Sequence, residues 1–285
     1  MNAVQVREAL SQAIQHLTAR DVPSPRLNAE TLLMFTLGRD RAYLYAHPER
    51  ELTAEEASRY DAALAERARG VPAQYITGHQ EFWGLDFVVT PAVLIPRPET
   101  EHVVETVLAL RAEGPEGLRI ADVGTGSGCI ALALAKEFPR ATVTALDISP
   151  AALEVARINA TRLEMSERVR FVESDLLGAL PASEQFELIV CNPPYVGENE
   201  ADKVQRQVRE FEPRVAVFAG KNGLDVYERL VPQARERLAP GGWLVMEIGY
   251  SIEAPVRALL GGWSDVRVTN DLQGIPRVVA AKKPT

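Results

Sequence analysis

The chain has 285 residues, a formal net charge of −8, 46% hydrophobic and 25% charged residues. That length has room for about two domains, and the mixture is that of an ordinary globular protein. The acidic balance argues against tight nonspecific duplex binding, which needs many phosphate-neutralising cations. No apolar run reaches bilayer length, and no basic region followed by an apolar core opens the chain, so a cytoplasmic protein without a membrane partner is expected. The two cysteines, Cys129 and Cys191, lie in apolar surroundings without metal spacing and read as buried free thiols.

The first ~70 residues read as helical. Val6, Leu10, Ala13, Ile14 and Leu17 recur at helical spacing. Ser24-Pro25 reads as an N-cap followed by proline at the first helical position, with Gly38 closing that helix. Thr53 and Glu56 have capping-box spacing, and Gly70 ends the following segment. A small helical bundle over residues 1–73 is expected. His16 and His47 have no partner at metal or triad spacing. Residues 74–92 change character: Gln80 to Val89 is rich in strand formers around Gly84 and reads as a β-hairpin linker. Pro91, Pro96 and Pro98 punctuate the next segment, and a helix is predicted from near Pro98 to Arg111.

The third region, residues 93–285, alternates strand and helix from Leu118 onward. Strands are predicted at 118–123, 141–147, 168–173, 186–191, 242–248, 264–269 and 276–282, with helices at 128–137, 150–163, 223–238 and 252–260. That alternation implies a mostly parallel, doubly wound α/β sheet. Within it, Ile120 to Val123 runs into the glycine-rich turn Gly124-Thr125-Gly126-Ser127-Gly128, and Asp147 ends the next strand. Glycines permit a sharp turn and close ligand approach, and an acid at that second strand end can accept hydrogen bonds from ribose hydroxyls. The turn alone leaves a nicotinamide dehydrogenase open, because Gly126, Gly128 and Ala131 satisfy the G-x-G-x-x-A form.

The predicted strand 186–191 ends in Asn192-Pro193-Pro194-Tyr195. A polar amide, two stiff carbonyls and a flat ring at one strand tip suit gripping a planar NH2 group while its nitrogen is methylated. The competing reading is a Pro-Pro turn with a tyrosine plug. The 196–222 stretch is long for a loop and is a candidate substrate segment.

At this point the sequence resembles the HemK/PrmC family, protein-glutamine N5-methyltransferases of peptide-chain release factors. Matching stretches run nearly the full length: Pro72 to Gly78, Glu81-Phe82-Trp83-Gly84, Leu94 to Glu101, the glycine turn, Ser174-Asp175, Asn192 to Tyr195, and Phe211-Glu212-Pro213-Arg214. The resemblance implies a class I S-adenosylmethionine-dependent methyltransferase with a Rossmann-like seven-stranded sheet. It implies S-adenosyl-L-methionine as donor, with Gly124, Thr125, Gly126, Ser127 and Gly128 along its methionine and ribose and Asp147 on the ribose. Asp175 and Leu176 would flank the adenine, where some members carry tryptophan instead of Leu176, and Asn192 would touch both donor and substrate. Release factors are the implied partner, with the helical bundle recognising them and no direct nucleic-acid contact.

For the reaction, the Asn192 oxygen and the Pro193 carbonyl would accept the two N–H bonds of the glutamine amide. Pro194 restricts Pro193, and the Tyr195 ring packs on the flat amide. No general base is assigned, and Glu198, Glu247 and His79 read as structural or surface groups. Asn-Pro-Pro-Tyr also occurs in adenine-N6 and cytosine-N4 nucleic-acid methyltransferases, which form one alternative. A non-enzymatic adenosine-ligand scaffold is the second.

Overall fold

The protein is described by a computed structural model covering residues 4–111 and 117–285. The chain forms two compact units: Met1–His79 with Arg206–Phe211, and Gln80–Gln205 with Glu212–Thr285.

The first unit contains α1 (Val6–Thr18), α2 (Pro25–Leu37), α3 (Arg41–Ala46), α4 (Ala54–Ala68) and α5 (Ala73–Thr77). Helical spacing in α1 buries Val6, Ala9, Ala13 and Leu17, which join Leu32, Leu33, Leu44 and Tyr60 in one apolar core. The capping box of α4 is formed as its sequence predicts, with Glu56 N donating to Thr53 Oγ1 at 3.2 Å and Thr53 N to Glu56 Oε2 at 2.9 Å. Ser24 is different. Its backbone is left-handed (φ +48°) and its side chain makes no capping bond. Asn28 reaches back instead, donating to the Pro23 and Ser24 carbonyls at 2.8 and 3.1 Å.

A short helix from the 196–222 stretch, Arg206–Phe211 (α9 in chain order), belongs to this first unit. The buried Arg67 donates to Asn28 Oδ1 at 2.6 Å and to Gln207 Oε1 at 3.0 Å. A Cβ placed on Gly70 would come within 3.2 Å of the Phe211 ring, so that glycine admits the ring as well as ending α4.

The second unit opens with the hairpin β1 (His79–Phe82) and β2 (Leu85–Val88). Its two-residue turn, Trp83-Gly84, has φ +54° and +66°, the primed-turn geometry that matches strand twist. Trp83 is pinned twice, its N–H donating to Glu101 and its indole to Glu137, both at 2.8 Å. A 3-10 turn, Pro98–Thr100, leads into α6 (Glu101–Arg111). Then come β3 (Arg119–Val123), α7 (Cys129–Glu137), β4 (Thr142–Asp147), α8 (Pro150–Arg162), β5 (Val169–Glu173) and β6 (Phe186–Cys191). After the excursion through α9 the order is α10 (Asp225–Arg237), β7 (Leu238–Glu247), α11 (Glu253–Leu259), β8 (Ser264–Asn270) and β9 (Pro276–Lys282).

These strands make one seven-stranded sheet ordered β5-β4-β3-β6-β7-β9-β8. The pairs from β5 to β7 are parallel, and β9 runs antiparallel to both neighbours. Strand alternation sends Ile120 into one core and Ala121 and Val123 into the other, so both faces are covered. The fold is a doubly wound, mostly parallel α/β sheet. β3 and β6 are neighbours, although β4 and β5 lie between them in sequence. Their carboxyl ends therefore border the switch point where such sheets bind ligands.

Candidate active site

Four adjacent strand tips carry most of the sequence-predicted residues to one cavity of about 190 Å³, enough for an organic ligand and far beyond one water. From β3 come Gly124, Thr125, Gly126 and Ser127. From β4 comes Asp147, from β5 Asp175 and Leu176, and from β6 Asn192 and Pro194. Gly128, Pro193 and Tyr195 do not line it. Gly128 caps α7, where an added Cβ would sit 3.3 Å from both Ala156 and Leu132, so it lets α7 and α8 close up. Pro193 is buried, and the Tyr195 ring is pressed against Gly249, whose added Cβ would meet it at 2.9 Å.

The glycine turn is held rigid from beneath. Gly124 N and Thr125 N both donate to the Leu146 carbonyl at 2.8 Å. The buried Asp122 accepts from Thr125 Oγ1 at 2.6 Å and Ala131 N at 3.1 Å. Burial pushes its carboxyl up to about 7 in spite of these bonds. Asp147 Oδ2 accepts from Gly126 N at 2.8 Å and Oδ1 from Ser149 N at 2.9 Å. Its pKa is raised, because burial outweighs the backbone bonds. Asp147 thus shapes the turn as well as lining the cavity. Gly124 and Gly126 have φ +72° and +55°, and a Cβ on either would meet nothing within 4 Å. The left-handed backbone, more than lack of room, calls for glycine there.

Other lining residues lie outside the sequence assignment. Ile148 and Val215 are exposed apolar walls, and Arg229 of α10 pairs with Asp175. Arg97 lines the cavity too, held by the buried Glu212, which also accepts from Ile95 N at 3.1 Å. That pair joins the Leu94–Glu101 and Phe211–Arg214 stretches, far apart in sequence. Thr100 lines the cavity and bonds Asn192. Ile148 directly follows the acid at a strand end, a position the pattern could have flagged. The Arg97–Glu212 and Asp175–Arg229 pairs leave no periodic trace. Cys129 and Cys191 are buried free thiols, and burial pushes the Cys129 thiol up to about 12. Among the described residues no His, Cys, Asp and Glu cluster could hold a metal, and no helix is long and apolar enough to cross a membrane.

The PrmC N-terminal domain model matches residues 8–78, and the methyltransferase small domain model matches residues 104–211. The release factor glutamine methyltransferase of Koribacter versatilis is 61% identical over 282 residues, spanning 98% of this chain and 99% of that protein. The chain belongs to the release factor glutamine methyltransferase family. The same-named protein of Geobacter sulfurreducens is 42% identical over 279 residues, covering 97% of this chain and 96% of the relative. A methyltransferase structure from Pyrococcus furiosus shares the fold, with a TM-score of 0.53 at 20% identity, covering 80% of this chain and all of that one (100%). Family membership settles the glycine turn in favour of methyl transfer over hydride transfer.

Proposed function

We propose that this chain transfers a methyl group from S-adenosyl-L-methionine to the side-chain amide nitrogen of the glutamine in the Gly-Gly-Gln motif of release factors. The observation that carries this reading is the convergence of the glycine turn, Asp147 and Asn192 on one cavity, within a chain of this family. The cavity suits the donor. The left-handed turn at Gly124 and Gly126 presents bare backbone, Asp147 presents a carboxylate, and Ile148 and Leu176 offer apolar walls for a base. Bound there, the donor supplies an electrophilic methyl on a positively charged sulfur.

The chain's own residues must make an amide nitrogen nucleophilic, although its lone pair is shared with the carbonyl. The Asn192 side-chain oxygen and the Pro193 carbonyl accept the two N–H bonds of the substrate amide and raise electron density on nitrogen. Pro194 fixes the Pro193 backbone, so that acceptor is preorganised. Tyr195 closes this strand tip against water. The amide nitrogen takes the methyl through its lone pair, the donor would keep the S–C electron pair, and one N–H proton leaves to water. Holding both reactants near attack geometry can supply ~7–11 kcal/mol.

The first unit is the release-factor recognition element in this reading. The decisive experiment offers labelled methyl donor with full-length release factor, DNA and RNA in turn. Label is expected on release factor and is expected to vanish when the acceptor glutamine is replaced. Transfer to nucleic acid alone would overturn the reading.

A further inference from the structure

Thr100 and Glu247 meet behind Asn192. Asn192 Nδ2 donates to Thr100 Oγ1 at 3.0 Å, and Thr100 Oγ1 donates to Glu247 Oε2 at 2.6 Å. Thr100 is 2% exposed and Glu247 3%. Sheet register brings them together. Cys191 pairs with Met246, so Asn192 and Glu247 leave the β6 and β7 tips side by side. Thr100 arrives from the 3-10 turn before α6.

Proton counting fixes the arrangement. An ionised carboxylate only accepts. The threonine hydroxyl has one proton, and the short contact places it on Glu247. Thr100 Oγ1 can then only accept from Asn192, so the Asn192 NH2 faces Thr100 and its oxygen is left for the cavity. With neither Thr100 nor Glu247, the side-chain amide could turn over. Its NH2 would then face the substrate NH2, donor against donor.

We propose that Thr100 and Glu247 are positioning residues: together they set the amide orientation of Asn192, so that its oxygen meets the substrate amide. This rests on Asn192 being the substrate acceptor, as proposed above. The arrangement also makes turnover pH-dependent. A protonated Glu247 donates to Thr100 Oγ1, so the hydroxyl proton turns toward Asn192; the Asn192 amide then turns its oxygen onto that hydroxyl and its NH2 into the cavity. Burial, opposed by the Thr100 bond, holds Glu247 up to about 7, with Glu99, Tyr195 and Arg277 the other groups acting on it. Turnover should therefore decline as pH falls through that range.

The test measures kcat and KM on full-length release factor from pH 6 to 9 for the wild type, Asn192→Ala, Thr100→Val, Thr100→Ser and Glu247→Gln. Donor affinity and thermal melts serve as controls. Thr100→Val should lower kcat about 10- to 100-fold, the scale of a misplaced reacting group, with KM and donor affinity little changed. Thr100→Ser, which keeps the hydroxyl, should recover most of the turnover. Glu247→Gln should lose the acid limb of the kcat profile. If Asn192→Ala is inactive while Thr100→Val turns over normally with the limb intact, the positioning role is overturned and the acceptor reading stands. If Asn192→Ala is active, both fall. Should Thr100→Val fail to fold, an unchanged acid limb in Glu247→Gln overturns the proposal on its own.

Discussion

The side-chain amide of Asn159 donates to the Ser127 carbonyl at 2.9 Å and so ties α8 to the glycine turn. The same side chain exchanges two bonds with Val88 of β2, accepting at 2.7 Å and donating at 3.0 Å. Asn159 is fully buried, 0% exposed. One residue therefore joins the hairpin, a helix and the loop lining the cavity. Asn159→Ala would leave the buried Ser127 carbonyl and the half-buried Val88 N–H and carbonyl without these partners. A stability loss of about 3 kcal/mol is expected. Denaturant unfolding should show a lower midpoint with an unchanged slope, and an unmoved midpoint would contradict this role.

The sheet was legible in sequence because its central strands are short apolar runs buried on both faces, separated by helical periods and capped by glycine or proline. Where the reading slipped, the cause is local. Pro240-Gly241-Gly242 looks like a turn, so β7 is predicted from 242. The strand instead begins at Leu238, with an irregularity between the Phe186–Leu238 and Leu188–Trp243 pairs. The 196–222 stretch reads as loop because α9 is only six residues long and its partners, Arg67 and Gly70, lie far back in the chain. Strand tips were legible as a site, since glycine, acid and amide each end a predicted strand. Thr100, Arg97 and Asn159 were not, because their partners are brought near only by the folded sheet.

Asp147 carries two duties, which sharpens the expectation for its replacement. Asp147→Ala removes the proposed ribose acceptor and frees the Gly126 and Ser149 N–H groups. Donor affinity should fall by ~1.5–3 kcal/mol, the range for a charge-assisted bond. Asp147→Asn should be no rescue, because its NH2 must face one of those two N–H donors. Calorimetric titration measures both variants. Unchanged affinity in Asp147→Ala would remove this residue from the donor site.

Asn192 ends β6 half-buried, with one amide end bonded to Thr100. Asn192→Ala should lower kcat by about 10²–10³, the usual cost of one oriented transition-state partner. Its melting should stay near wild type, because the side chain is half-buried and outside the apolar core. Wild-type turnover on release factor would sink the amide-grip mechanism.

Glu247 also predicts how stability depends on pH. Its folded pKa is raised from 4.5 to about 7, chiefly by burial. Between those values the folded chain holds a proton that the unfolded chain has released. The contribution of this group to stability is therefore greatest below 4.5 and is lost as pH rises through 7. A shift of this size corresponds to about 3 kcal/mol at most. Glu247→Gln lacks the term, so the wild type should gain on the variant as pH falls from 8 to 5. Parallel urea midpoints for the two proteins at both pH values would refute it.

Selecting one glutamine among all proteins needs contacts away from the reacting centre, and the first unit offers candidates. Leu27, Phe35 and Tyr45 are 50%, 43% and 58% exposed, large apolar side chains on two of its helices. Removing residues 1–73 would be a poor test, because Gln207 and Phe211 would lose the partners they have in that unit. A double substitution, Leu27→Ser with Phe35→Ser, leaves the buried core intact. Its kcat/KM on full-length release factor should fall about tenfold or more, as for loss of an apolar contact worth over 1 kcal/mol. A short Gly-Gly-Gln peptide should be a poor substrate for both proteins, by the same margin. Donor affinity should not move. Equal losses on protein and peptide would make these residues supports of the fold, and unchanged activity on release factor would place recognition elsewhere on the chain.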